Sequence, residues 1–196
     1  MKHFLQKVIV YFSYIRFIGH IILYEASRNK EIINADISRY MFYYDLPYKS
    51  VYALVYLLMK DRYYRGVFYM RVGFYSHFIS WIAPKDNTFT IGPNSINVGE
   101  GIYARHAYAT ILNAKSIGRN FSCRQCTTIG NKKDGESDMI PIIGDNVQLG
   151  ANVCIIGNIR IGDNVIIGAG SIVVKDVPNN CVVAGNPARV IKYIEE

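Results

Sequence analysis

Residues 143–178 read IGDNVQ, LGANVC, IIGNIR, IGDNVI, IGAGSI and VVKDVP when cut every six residues. The first position holds Ile143, Leu149, Ile155, Ile161, Ile167 and Val173, and the fifth holds Val147, Val153, Ile159, Val165, Ser171 and Val177. An α-helix would rotate a six-residue repeat out of phase at every cycle, and a hairpin sheet would show polar alternation with irregularly spaced turns. A short fixed period with Gly and Asn at its corners is instead the pattern of a solenoid, in which each repeat supplies one short strand and a turn and buries its aliphatic residue against its neighbours. Gly144, Gly150, Gly162 and Gly168 relieve crowding at the corners, and Asn146, Asn152 and Asn164 tolerate the turn conformation.

Working upstream, Ile117-Gly118, Cys123 and Ile129-Gly130 keep the spacing, so Cys123 falls at an inward aliphatic position. The pattern breaks at NKKDGESDMIPI, residues 131–142, a polar insertion between coils of the kind that carries function because a stacked core cannot. Ile91-Gly92 and Val98-Gly99 begin the coils. The reading is a mainly β fold, with a β-helix over 88–185, an α-helical N-terminal segment over 1–87 and a tail over 186–196. In that tail GNPARVIKYIEE runs as a loop through Pro187 and then a short strand or helix.

The N-terminal segment has helical spacing in YALVYLLMKD (52–61) and VFYMRVGFYSHF (67–78), with Asp61, Arg62, Arg65 and Arg71 interspersed. Its Tyr, Phe and Arg suit packing against the repeats or another subunit, the favoured reading, or a peripheral membrane interface. The apolar stretch from Val8 to Tyr24 is interrupted by Arg16 and His20, and no secretory leader is read, so a cytoplasmic setting is expected. The 22 Lys+Arg against 15 Asp+Glu give +7, which attracts anions of any kind. That charge follows no nucleic-acid-binding module, and nucleic acid is not an expected partner. The four cysteines form no secreted-type framework, and the lone Cys123-Arg124-Gln125-Cys126 pair lacks the partners a zinc site needs, so no metal is expected.

The run KDVPNNCVVAGNPARVIKYI (175–194), following IGDNVQLGANVCIIGNIRIGDNVIIGAGSIVV (143–174), resembles the C-terminal half of the hexapeptide-repeat acyltransferases. The resemblance is closest to the serine acetyltransferase-like branch, which includes bacterial O-acetyltransferases acting on capsular or exopolysaccharide sugars, and it covers roughly residues 88–194. It implies a left-handed parallel β-helix of three hexads per coil, an exception to the usual right-handed crossover. It further implies a homotrimer with each active site between neighbouring helices, and acetyl-CoA as acetyl donor. The family's CoA-binding positions match here at Ala151, Ala169, Lys175, Arg189 and Lys192, and the three cations are apt for the phosphates of CoA.

Moving an acetyl group from a thioester to a hydroxyl needs a base that takes the hydroxyl proton and can return it to the departing thiolate, and imidazole suits this near neutral pH. His3, His20 and His77 lie in the N-terminal segment, leaving His106 alone in the repeats, in the setting GEGIYARHAYATILN (99–113). The resemblance aligns His106 with the catalytic histidine, in direct transfer without an acetyl-enzyme, with backbone N–H as the expected oxyanion donors. In the serine enzyme an Asp precedes that His, a second Asp orients it, and another His precedes the PxIGD motif. Here those places hold Arg105, Ile91 or a neighbour, and Ile140. The resemblance therefore implies a sugar hydroxyl as acceptor rather than serine, with Glu100 and Asn113 as candidates to orient His106, and Asn131, Lys132 and Lys133 near the acceptor or CoA. Serine O-acetylation is the enzymatic alternative, and a non-catalytic trimeric scaffold the alternative of another class. A zinc enzyme on this scaffold would need about three converging histidines, which the repeats lack.

Overall fold

Three inward columns of aliphatic residues hold the C-terminal unit together. In a computed structural model of the chain, which describes residues 2–46, 50–92, 97–133, 135 and 138–195, with side chains from residue 8 onward, the chain divides into two compact units, Met1–Asp86 and Asn87–Glu196.

The second unit is a parallel β-solenoid. Its first coil is β1 (Phe89–Ile91), β2 (Asn97–Val98) and β3 (Tyr103–Ala104), and its second is β4 (Thr110–Leu112), β5 (Ser116–Ile117) and β6 (Ser122–Cys123). The third is β7 (Thr128–Gly130), β8 (Ile142–Ile143) and β9 (Gln148–Leu149), and the fourth is β10 (Cys154–Ile156), β11 (Arg160–Ile161) and β12 (Val165–Ile167). The last coil runs β13 (Ile172–Val173), a single bridge from Val177 to Ile161, and β14 (Cys181–Gly185). Every third strand pairs in parallel, giving sheet A from β1, β4, β7, β10 and β13, sheet B from β2, β5, β8 and β11, and sheet C from β3, β6, β9, β12 and β14.

The hexad's first position forms the columns as far as Val173, after which the spacing changes and the fifth-position Val177 continues the column of sheet B. Leu112, Ile129, Ile155 and Val173 stack inside sheet A, Val98, Ile117, Ile143, Ile161 and Val177 inside B, and Ala104, Cys123, Leu149, Ile167 and Val183 inside C, all buried. Cys123 is a core side chain, and burial pushes its thiol up to about 12. The tail residues 188–193 form β15 (Ala188–Tyr193), antiparallel to β14, so the last strand of sheet C is covered rather than left as an open edge.

The corner between sheets B and C is built on asparagine. Asn120, Asn146, Asn164 and Asn180 all have φ near +55°, and each of the first three donates Nδ2–H to the Oδ1 of the next, at 3.0, 2.8 and 2.7 Å. Beside them, Asp145 and Asp163 accept the backbone N–H of Arg119 and Asp145, and Asn179 accepts that of Asp163. Gly118 is obligatory here, because a Cβ would overlap the Gly144 carbonyl and the Asp145 carboxylate.

The first unit is helical: α1 (Lys2–Arg16), α2 (Ile18–Ala26), α3 (Lys30–Tyr43), α4 (Ser50–Lys60) and α5 (Arg62–Val72). Asp61 caps α5, its Oδ1 accepting from the backbone N–H of Tyr63 and Tyr64. The helical spacing read over 67–78 stops early: Gly73, at φ +64°, ends α5, and Gly73–Phe78 continue as a 3₁₀ turn. Tyr24, Tyr40, Tyr64, Phe17 and Phe68 fill the core with the leucines of α4. Arg71 makes a two-pronged ion pair with Asp36, at 2.9 and 3.3 Å, with both side chains buried. His20 is also buried. Tyr69 donates its hydroxyl proton to the Ala83 carbonyl at 2.7 Å, so His20 Nε2–H must be the donor in the 2.9 Å contact with the Tyr69 oxygen. Its Nδ1 then faces the core as a lone pair with no partner among the described residues.

Candidate active site

His106 lies on the corner that leads from sheet C to sheet A, and register shows how this corner differs from those below it. Thr128 follows Cys123 by five residues, Cys154 follows Leu149 by five and Ile172 follows Ile167 by five. The equivalent step in the first coil, from Ala104 to Ile111, takes seven. Arg105 N–H still donates to Cys123 O, and Cys126 N–H to Tyr108 O, so the two additional residues are His106 and Ala107. Ala107 is fully buried and anchors the bulge, while His106 is exposed with its backbone at φ +50°. The left-handed conformation is uncommon for a residue bearing a Cβ, and Asn, Asp and His are the types most often found in it. No hydrogen bond to the imidazole is formed among the described residues.

Below the bulge the regular corners are small and open. Cys126, Asn152 and Gly170 occupy the positive-φ position, and their N–H groups donate to Tyr108, Gln125 and Ala151 respectively. Tyr108, Gln125, Ala151 and Ala169 therefore form one column, with successive members one strand spacing, about 4.8 Å, apart. Ala151 and Ala169 thus share His106's corner. Arg189 joins the same end of sheet C, opposite Ala184 on β15, while Lys192 lies opposite Val182, farther back along that strand. A track of small side chains with a guanidinium at its far end fits an extended, phosphate-bearing arm such as that of CoA.

The other expected residues lie elsewhere. Asn131, Lys132 and Lys133 stand at the corner from A to B in the third coil, with Lys132 against Gly157 of the coil below, and Lys175 stands at that same corner in the last coil. Asn113 also lies at an A-to-B corner, its Oδ1 buried against Gly92 without a hydrogen-bond partner among the described residues. Glu100 occupies the B-to-C corner, where its carbonyl accepts from Asn120 N–H. Within one chain, neither Glu100 nor Asn113 is brought to His106's corner. Among the described residues no three His, Cys, Asp or Glu side chains converge as a metal site would require.

Two residues missed by sequence reasoning flank the imidazole. Arg105 and Arg124 occupy adjacent rungs immediately before the corner, both exposed, and no carboxylate lies at the C-to-A corner among the described residues. The signal was present as an arginine following each of the paired inward residues Ala104 and Cys123.

Residues 140–175 match the family described as bacterial transferase hexapeptide (six repeats). The parallel β-solenoid has the fold of the hexapeptide-repeat acetyltransferases, and these residues carry that repeat. Over 100 residues, half of this chain, it is 42% identical to serine acetyltransferase 2 of Arabidopsis thaliana, covering 31% of that protein. Over 95 residues, 47% of this chain, it is 44% identical to the putative colanic acid biosynthesis acetyltransferase WcaB of Escherichia coli K12, covering 57% of it. The chain thus spans less than two thirds of either curated relative. Among solved structures, serine acetyltransferase from Neisseria gonorrhoeae superposes at TM-score 0.67 and 28% identity, over 85% of this chain and 67% of that one. Serine acetyltransferase from Brucella abortus in complex with coenzyme A superposes at TM-score 0.62 and 25% identity, over 89% and 72%. Both likenesses cover more of the chain than the solenoid alone.

Proposed function

We propose that the chain is an acetyl-CoA-dependent O-acetyltransferase whose acceptor is a sugar hydroxyl in polysaccharide biosynthesis, with His106 as the base. The observation that carries this reading is the two-residue bulge, which lifts one imidazole out of an otherwise uniform corner, at the head of the column that runs through Gln125 to Ala151 and Ala169. The imidazole takes the proton from the acceptor hydroxyl as its oxygen attacks the thioester carbon. The C–S bond then breaks, and the same proton goes to the departing thiolate, leaving an O-acetyl sugar and free CoA.

The cationic rim supports a sugar over serine. Arg105 and Arg124 beside His106, with no carboxylate at that corner, offer nothing to an ammonium group and suit a neutral or acidic glycan. The likeness to WcaB points the same way. Serine O-acetylation is the second reading, favoured by the likeness to serine acetyltransferases. A trimer is part of the proposal: His106 and the track lie at one margin of sheet A, and Lys132, Lys133 and Lys175 at the other. A threefold ring sets one chain's C-to-A corner against its neighbour's A-to-B corner and assembles both sets around one donor. All four cysteines are free, as a reducing cytoplasm would keep them.

The test is transfer from labelled acetyl-CoA to a panel of neutral and acidic glycans and to free serine. Label should enter a glycan and not serine, and His106→Ala should lower turnover by about 10²- to 10⁴-fold with folding intact, since the side chain is exposed. Label in serine alone establishes the second reading, and undiminished turnover in His106→Ala removes the imidazole from the chemistry.

A further inference from the structure

The two units differ in charge. Residues 1–86 contain 12 of the 22 Lys+Arg and six of the 15 Asp+Glu, a net +6, whereas residues 87–196 contain ten against nine. Yet the surface of this cationic helical unit is strongly apolar in one area. Ile15, Ile18, Ile22, Phe78 and Trp81 are each 60% or more exposed.

Two contacts gather these residues together. Arg16 donates to the Ile82 carbonyl at 2.7 Å, and a Cβ at Gly19 would lie 3.1 Å from Ile79 Cγ2, so the α1–α2 junction runs alongside residues 78–82. Phe74 extends the patch through its edge-on contact with Phe78, at 5.9 Å. Cations rim it on the side of residues 82–86. Arg16 holds Ile82, Arg65 donates to the Pro84 carbonyl at 2.8 Å, Arg62 accepts from Asp86 N–H through its own carbonyl, and Lys85 is exposed within the segment.

We infer that this face docks the helical unit onto an anionic lipid surface. Aromatic rings and isoleucines enter the interfacial layer, while the arginines and Lys85 meet headgroup phosphates. Charge selects lipid over a second copy, because two units of +6 facing each other bring like charges together while an anionic leaflet supplies the opposite sign. The mode is surface docking: no single described helix is long and apolar enough to cross a membrane, and the pair Val8–Arg16 and Ile18–Ala26 is bent by 77°. The inference stands on the helical unit alone and is independent of the acetyl-transfer reading.

Trp81 is the chain's one tryptophan, so fluorescence of the full-length protein reports on this patch directly. Adding phosphatidylglycerol vesicles should shift Trp81 emission to the blue and sediment the protein, and phosphatidylcholine vesicles should do neither. Arg62→Gln with Lys85→Gln, which keeps the tryptophan, should lower the partition coefficient roughly thirty-fold, about five-fold per cation. Phe78→Ser with Ile18→Ser should lower it independently, with the circular dichroism spectrum unchanged because both positions are exposed. Absence of vesicle binding, binding indifferent to lipid charge, or binding untouched by both double variants overturns the inference. So does blue emission in lipid-free protein that reddens on dilution, which would mean that a second copy covers the patch.

Discussion

The solenoid and the helical unit stabilise themselves on different terms. In the solenoid each inward residue meets near-copies of itself one strand above and below, so the burden is spread over three columns and the exacting positions are the corners. In the helical unit the core is a single assembly of unlike parts, including the Arg71–Asp36 pair and the His20–Tyr69 contact, whose members are far apart in sequence. The difference predicts where each unit is fragile: at isolated polar partners in one, at backbone crowding in the other.

The largest effect is expected at Arg71. Removing it as Arg71→Ala takes the cation away from the Asp36 carboxylate, which is 1% exposed, and should cost about 3–5 kcal/mol in urea unfolding followed by far-ultraviolet circular dichroism. Replacing both partners, Arg71→Met with Asp36→Leu, should recover most of the loss. A double variant as unstable as the single one would mean that the pair holds the helices in place by more than mutual neutralisation.

In the solenoid the corresponding weak point is Gly118. Gly118→Ala forces a methyl against the Gly144 carbonyl and Asp145, and should cost about 3 kcal/mol, read by far-ultraviolet circular dichroism during thermal unfolding. A neutral Gly118→Ala would show that adjacent coils can part, and the picture of a rigid corner would fail.

The same contrast governs what could be read from sequence. The columns from Ile143 onward were legible because each residue's neighbour in space is its counterpart one coil, or three hexads, away in sequence. His106 was reached by its uniqueness and by resemblance; its bulge was not read, because two additional residues, His106 and Ala107, throw the hexad count out of phase at that corner. In the helical unit α4 was readable from its own spacing, but the helix drawn on through residue 78 ignored Gly73, whose positive φ ends it. The Arg71–Asp36 pair, 35 residues apart, has no local pattern to betray it. His20 looked like a polar break in an apolar run and is instead part of the core.

That buried histidine should make the helical unit sensitive to acid. Burial first, then the charges of Arg65 and Arg16, hold its pKa down to about 4 from the usual 6.5. Between those values the unfolded chain binds a proton that the folded one refuses, so stability is full above pH 6.5 and falls as pH drops toward 4, by about 3 kcal/mol. His20→Gln should flatten this slope in unfolding measured by far-ultraviolet circular dichroism. A slope unchanged in the variant would assign the acid response to other groups.

The smallest effect separates two contributions within one corner. Asn164 sits at φ +55°, donates to Asn180 and accepts from Asn146, so it supplies both a tolerated left-handed backbone and a link in an exposed hydrogen-bond ladder. Asn164→Gly keeps the backbone at ease and removes only the link, which in contact with water should cost a few tenths of a kcal/mol beyond the added freedom of the unfolded chain. Asn164→Ala removes the link and keeps a Cβ in the left-handed region without the local amide hydrogen bonding that lets asparagine tolerate it, adding about 1 kcal/mol. Thermal unfolding should therefore rank wild type above glycine and glycine above alanine. If glycine falls below alanine, the ladder is incidental to backbone strain, and the solenoid's corners depend on chain stiffness rather than on asparagine geometry.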